Sequence, residues 1–446
     1  MTTNPSSLRR PNWRRLAVGG CLGLVLLYAL FVSTGFLWVR YALKNDRISL
    51  GEVALFRWKE VRRGMAGEQF AAGKSAWDAK NYQAAYLAFA SGVRNDPDKV
   101  AGRLMAANFL EAVGAAKPAM AMLEDGLARA PENPQLIERT FDLLTATGHD
   151  AHALDLLHKQ YSSNFTGPNG PVLQTYEVLA TLNTDGAAAA KSLLEKYPEL
   201  QSRHQSAPVV ARVLWESKER LAAIELLSSY VHAQPDAYSA YGQLVEWQMA
   251  AGMADDARQT AEQACTQFPK DLAPRILLIS TITYELREGQ REIASYLKDF
   301  GDRPEAIPLL ANLASRKGWV NLVRTLYEVG ANRQLDLRML ALYYSDALVR
   351  SSRFAEARQI LAQIEQQSED GNSQFLALLR QRQIAVAAAL GDHDGSRELA
   401  RRLAAVLRSD PDGMEALRRR FAQQGINEAA AELSTAASTA KVAGGK

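Results

Sequence analysis

Cysteine is nearly missing from this 446-residue chain. Cys21 and Cys265 are its only two, too few and too far apart for a disulfide framework or a thiolate zinc site. An excess of either charge is missing too: 52 basic residues face 49 acidic ones, so nothing draws the chain toward nucleic acid and no polyanion partner is expected. H-E-x-x-H and G-x-S-x-G are absent, and the six histidines form no triad. Residues 67–75, GEQFAAGKS, space their glycines by five where a phosphate-binding loop needs four, and no strand pattern precedes them. His149, His152 and His158 gather near Asp150 and Asp155, but one sits in a turn pattern and the others are not helical neighbours, so they read as surface polar residues. No catalytic site, cofactor or metal is expected, and the chain does not read as an enzyme.

Long apolar runs are scarce, with one exception. Residues 16–39, LAVGGCLGLVLLYALFVSTGFLWV, carry no charge, and at about 1.5 Å per residue they extend roughly 36 Å, enough for a tilted membrane crossing. Trp13 and Trp38 sit near the ends, where amphipathic rings settle at headgroup level. A signal peptide would be shorter and end in a small-x-small site, so the sequence predicts a single transmembrane anchor in contact with lipid. Arg9, Arg10, Arg14 and Arg15 precede the run, and Arg40, Lys44 and Arg47 follow it. The positive-inside rule then puts the remainder outside the cytoplasm, in the periplasm of a bacterium. Gly19 and Gly23 allow a second copy to approach closely as a homodimer.

Beyond residue 66 the pattern is helix, short turn, helix, short turn. Ala85, Phe89, Gly92 and Pro97 return one fixed interval later as Ala119, Leu123, Gly126 and Pro131, and the same interval brings Ala153 and Leu157. Helix pairs that cannot cover their own apolar faces come in rows, because the next pair covers them. A small residue in the column lets helices approach, a larger one fills the gap, and proline ends the second helix. The same order recurs as Ala223, Leu227, Tyr230 and Pro235, then Ala257, Ala261, Ala264 and Pro269. Ala153 and Ala223 stand two periods and two further positions apart, with a breaker at 167–171 between them.

On these residues, with Gly73, Tyr82, Ala107, Gly114, Leu144 and Gly148, the chain resembles the tetratricopeptide repeat (TPR) family. Arg353-Phe354-Ala355-Glu356-Ala357, with Leu361 and Ile364, resembles it once more. The resemblance implies an all-α, TPR-like solenoid of stacked helix-turn-helix units, here preceded by the transmembrane helix. The expected boundaries are a basic segment at 1–15, the anchor at 16–39, an amphipathic linker at 40–65 and the best repeats at 66–165. Degenerate repeats follow at 166–202, clear ones at 203–270, degenerate ones at 271–336 and TPR-like ones at 337–424. A helix remnant and disordered tail close the chain at 425–446.

The resemblance further implies a protein-binding scaffold whose first helices line a concave groove, serving a cell-envelope assembly or secretion-related complex. Extrapolated along the register, the partner-binding residues are Lys74, Trp77, Asn108, Glu111, Asp142, Arg212, Trp215 and Glu246, with Phe70, Leu104, Glu138 and Met249 nearby. Trp77 and Trp215 occupy one place in their units, where an aromatic either anchors a bound segment or packs between helices. A carboxylate clamp of the kind some TPR domains use fits only at Arg139. One alternative is an assembly factor facing the cytoplasm; another is an enzyme built on Glu285, Glu288, Glu292, Asp299 and Asp302. Arginines 397, 401, 402, 408, 418, 419 and 420 offer a second surface for an acidic partner, or a solvated helix face.

Overall fold

The structure, a computed structural model, describes residues 13–42, 50, 58–161, 165, 167–284, 286–366, 373–407 and 411–444. The chain divides into two compact units, Met1–Leu226 and Leu227–Lys446. Among the described residues there are helices and no strands. Each unit is a TPR-like row of helix pairs.

Unit 1 opens with α1 (Trp13–Leu37), followed by a π-helical turn at Trp38–Ala42. Its pairs are α2 (Trp58–Asp78) with α3 (Tyr82–Asn95), α4 (Val100–Ala112) with α5 (Ala116–Arg129), and α6 (Pro134–Ala146) with α7 (Asp150–Gln160). Then come α8 (Gly170–Thr184) with α9 (Ala187–Lys196), a single turn α10 (Glu199–Ser202), α11 (Ala207–Glu216) and α12 (Arg220–Ala233), within which the division falls. Unit 2 continues with α13 (Tyr238–Ala250), α14 (Ala254–Gln267), α15 (Leu272–Ser280), α16 (Arg287–Phe300), α17 (Ala306–Lys317) and α18 (Val320–Asn332). It ends with α19 (Leu337–Arg350), α20 (Phe354–Gln366), α21 (Ser373–Ala389), α22 (His393–Val406), α23 (Pro411–Gln423) and α24 (Asn427–Gly444).

The periodic column of small residues is the axis of this packing. Ala85, Ala119, Ala153, Ala223 and Ala257 are all wholly buried, and so are Leu123 and Leu157 beside them. A side chain of one carbon lets the backbones close up, and the leucine four positions on fills the space that this creates. One close approach is made without any side chain: a Cβ at Gly102 would stand 2.3 Å from the ring of buried Phe70. The turn within each pair is periodic as well. Lys80, Gly114 and Gly148 in unit 1 and Gly252 in unit 2 have φ between 59° and 80°, a left-handed conformation that glycine adopts at least cost.

A buried charge, Arg103, lies inside this apolar packing. Arg103 is 2% exposed and donates to the carbonyls of Met122 at 2.6 Å and Pro97 at 2.8 Å, with Asp125 paired at 2.9 Å. Its stem occupies the space beside Gly126, where a Cβ would come within 2.3 Å of Arg103 Cδ. A buried guanidinium is tolerated because its donors are used, and it fastens α4 to α5.

Three expectations are corrected. The expected transmembrane anchor at 16–39 falls on α1, but among the described residues no helix is long and apolar enough to cross a membrane. The single-pass membrane location, the lipid contact and the periplasmic placement of the repeats lose their basis with it. The linker expected at 40–65 is not separate from the first repeat, because α2 runs unbroken from Trp58 to Asp78 and takes in the glycines of the phosphate-loop look-alike; most of 40–57 lies outside the described residues. The tail expected to be disordered is helical through Gly444, since NEAAAELSTAAS is rich in alanine, the strongest helix former.

Candidate functional site

In unit 1 the first helices of successive pairs are tied to one another by side chains that stand one period apart. Asn108 on α4, Asp142 on α6 and Tyr176 on α8 follow one another at the repeat interval, and after a shift of two positions the column resumes at Arg212 on α11. Arg139 reaches from α6 to α4: its Nε donates to Asn108 Oδ1 at 2.8 Å and a terminal nitrogen pairs with the Glu111 carboxylate. The Tyr176 hydroxyl reaches from α8 to α6, donating to Asp142 Oδ1 at 2.6 Å with the Glu138 carbonyl 3.2 Å away. Arg212 donates from α11 to Asn183 Oδ1 at 2.8 Å, and Asn183 Nδ2 donates to Asp150 Oδ1 at 2.7 Å. Asp150 opens α7, where the helix N-terminus favours a carboxylate.

These ties set geometry more than stability, since ion pairs as exposed as Arg139–Glu111 are worth about 0–1 kcal/mol. Tyr176 differs because it is buried to 9% exposure and its ring lies 5.5 Å from that of Phe141. Burial, then the nearby Asp142 carboxylate, pushes its phenol far above the usual tyrosine range. The hydroxyl therefore keeps its proton and donates to Asp142. The wall that results exposes Glu138, Asp142 and Glu111.

Where the repeat order is interrupted, a second polar group gathers around one buried carboxylate. Glu177, 6% exposed, takes the Tyr197 hydroxyl at 2.8 Å on one oxygen and faces His158 Nε2 at 2.9 Å on the other. His158 in turn stacks on Phe165, with centroids 6.3 Å apart. Phe165 stands where the repeat order expects proline, and its φ is +39°. Burial first, then the hydrogen bond to Glu177, pushes the Tyr197 phenol up as well. Ser206 Oγ donates to the Leu200 carbonyl at 2.5 Å and closes the short α10 turn.

The expected site residues divide into groups. Asn108 and Glu111 are brought together by Arg139, Asp142 is held by Tyr176, and Arg212 by Asn183. Lys74 is exposed and donates to Asp78 at 2.8 Å on its own helix. Trp77 is half-buried and packs edge-on to Phe109 at 5.6 Å and Phe89 at 6.5 Å. Trp215 is half-buried with the Arg220 guanidinium 5.2 Å above its ring. Glu246 is exposed on α13 in unit 2. Phe70, placed on the groove by register, is 4% exposed and lies beneath Gly92 and Gly102. Tyr176 and Asn183 were missed, although Tyr176 stands one full period after Asp142.

The remaining candidates separate in space. His149 meets Thr147 at 3.0 Å, His152 meets Glu124 at 3.0 Å, and His158 meets Glu177. Glu288 pairs with Arg258 at 2.6 Å and Glu292 with Arg275 at 3.5 Å, while Asp299 accepts from Ser295 at 3.3 Å; Glu285 lies outside the described residues. Five of the C-terminal arginines are compensated within their own helices and neighbours. Arg397 pairs with Asp394, Arg401 with Glu398 and Glu432, Arg402 with Glu398, and Arg418 and Arg419 with Glu415. Bonds from these arginines hold the Glu415 carboxyl down at about 2. Arg408 lies outside the described residues. A Cβ at Gly23 would meet nothing within 4 Å.

No protein-family model matches the chain, and no curated protein does. Among solved structures it is similar to a tetratricopeptide repeat protein from Parabacteroides merdae, at 13% identity over 55% of this chain and 97% of that one, with a TM-score of 0.38. It is also similar to pilF of Pseudomonas aeruginosa, at 16% identity over 48% and 96% with a TM-score of 0.33. Yeast Tom70 is similar at 13% identity over 93% and 96%, with a TM-score of 0.31. At such identities these are chains of like helical build, and what they bind is their own. The chain itself is a TPR-like array of helix pairs.

Proposed function

We propose that unit 1 is a protein-binding scaffold that holds a segment of a partner protein against the wall formed by α4, α6, α8 and α11. The observation that carries this reading is the column Asn108, Asp142, Tyr176 and Arg212, which ties consecutive first helices together on one face and leaves exposed carboxylates on the surface it builds. A wall already fixed in shape loses little conformational freedom when a partner binds, which lowers the cost of association. Glu138 and Asp142, one helical turn apart, then favour a partner segment with basic side chains.

Glu138→Arg in the full chain tests the reading, because the Glu138 side chain is exposed and only its backbone carbonyl meets Tyr176. The expected result is an unchanged melting temperature with partner capture reduced about tenfold or more, as for a like-charge contact across an interface. Undiminished capture by the folded variant would remove the wall from the account.

A further inference from the structure

Three first helices of unit 2 carry a charge opposite to that of unit 1. Where α4, α6 and α8 hold four carboxylates and two arginines, α17, α19 and α21 hold one carboxylate, Asp346, against six cationic side chains. Three of these cations are taken. Arg382 grips Asp346 from α21 with two bonds of 2.9 Å, Arg380 pairs with Glu365 at 2.6 Å, and Arg338 pairs with Asp336. Arg316 and Arg350 are exposed, and among the described residues the side chain of neither meets a carboxylate or another hydrogen-bond partner. Loss of hydration, then the Arg316 charge, pushes the adjacent Lys317 ammonium below the usual lysine range, as expected beside a cation that nothing neutralises.

The two free arginines end consecutive first helices and stand one repeat interval apart, as do Leu309 with Tyr343 and Asn312 with Asp346. Helix α19 packs against both α17 and α21. From Leu340 to Leu348 every residue of α19 is buried except Tyr343 and Asp346, so this stripe is the face the helix leaves open. At one edge of the stripe Leu309 and Met339 are 38% and 37% exposed beside half-buried Tyr343. Arg316 and Arg350 form the other edge, seven residues further along each helix, a rise of about 10.5 Å. Asn312 and the neutralised Asp346–Arg382 pair lie between the two edges. A segment lying along that middle row directs its side chains alternately toward the arginines and toward the apolar edge. Glu305, the one further carboxylate near the stripe, opens α17 at the end away from Arg316. The free charge at the basic edge therefore favours an acidic segment over a basic one.

We infer that the face of α17, α19 and α21 is a docking surface for an acidic, amphipathic segment of a partner protein, with its carboxylates on Arg316 and Arg350 and its apolar side chains on Leu309 and Met339. Its partner is opposite in charge to the one proposed for unit 1, and the inference does not depend on that reading.

The test uses the full chain and a fluorescent, capped heptapeptide that alternates glutamate and leucine, followed by anisotropy. Binding is expected, and replacing the glutamates by glutamine, or the leucines by serine, should weaken it about tenfold or more. This comparison uses the unaltered protein and does not depend on a variant folding. The double variant Arg316→Glu, Arg350→Glu should lose affinity to a similar extent with an unchanged melting curve, since both side chains are exposed. Arg397→Glu, which removes an exposed charge already paired with Asp394, should leave the affinity as it was, and so should Glu138→Arg. An unlabelled thymidine oligonucleotide should not compete. The inference is overturned if the peptide does not bind, if the glutamine or serine peptide binds as well, or if the folded double variant binds as before. It is equally overturned if Arg397→Glu weakens binding as much or the oligonucleotide competes, which would make the attraction one of general charge, or if Glu138→Arg changes the affinity and so moves the peptide to unit 1.

Discussion

Along α4 to α7 the helix pairs of unit 1 stack through Ala119, Leu123, Ala153 and Leu157, each wholly buried and none bearing a polar side-chain atom. From Tyr161 to Ser206 the same stacking runs past the buried Glu177, Tyr197 and Ser206, with Tyr197 2.8 Å from Glu177, Ser206 2.5 Å from the Leu200 carbonyl, and the exposed His158 of α7 2.9 Å from Glu177. Where the repeat order holds, complementary shape does most of the positioning, with buried Arg103 the polar addition between α4 and α5. Where the register slips by two positions and the Gly167–Pro171 breaker interrupts it, hydrogen bonds to buried groups do the positioning. The wall needs both regimes, because α4 and α6 belong to the first and α8 and α11 to the second.

The largest effect is expected on the apolar side of this comparison. Phe89→Ala removes a ring that is 2% exposed and touches both Trp77 and Phe109, and should cost about 3–5 kcal/mol. Chemical denaturation of the full chain measures it, and a cost below about 1 kcal/mol would show that shape does not hold the regular pairs.

Glu177→Ala is the matching cut in the interrupted stretch. It leaves the Tyr197 hydroxyl without its acceptor in the interior, for about 1–3 kcal/mol, and Glu177→Gln, which can still accept, should cost less. Equal losses for the two variants would mean that the hydrogen bonds are incidental to the packing there.

The mildest probe is alkali. The folded-state pKa values of Tyr161, Tyr176 and Tyr197 are all raised, with burial as the first cause. Their neutral forms therefore contribute stability that is fully present below the unfolded value of about 10 and is lost as pH rises above it toward the folded values. The tyrosines of the first pair, Tyr82 and Tyr86, are each 51% exposed. Limited proteolysis between pH 9 and 11, read at about half-unit steps, should open the 161–206 stretch before α4–α6, and Tyr197→Phe should delay that opening. Simultaneous loss of both stretches would erase the distinction.

The same division explains what could be read from sequence. The small-residue column was legible because its spacing is fixed by close packing, so Ala85, Ala119 and Ala153 identify themselves by period alone. Tyr176 was hidden because the order around it had dissolved, although its distance from Asp142 had not. An aromatic in register, such as Trp77, fits a groove and a helix interface equally well on paper, and here its half-buried ring meets Phe89 and Phe109 edge-on. At the N-terminus the uncharged run 16–39 reads as a membrane crossing, but among the described residues no helix is long and apolar enough for one. The helical end is not legible from its small and polar residues, because alanine favours helix and the few residues it buries, Ala429 and Leu433 among them, carry no periodic signal.

The central claim is that partners meet unit 1 on the face where the first helices are tied together. Site-specific photo-crosslinking in the full chain addresses it directly, with the photoreactive residue placed at Glu138 or Asn108 on the wall, and at Leu87 or Asp155 on the exposed faces of the second helices α3 and α7. The account predicts a discrete partner adduct from the two wall positions and none from Leu87 or Asp155. Adducts confined to Leu87 and Asp155, or equally strong from all four positions, would contradict it.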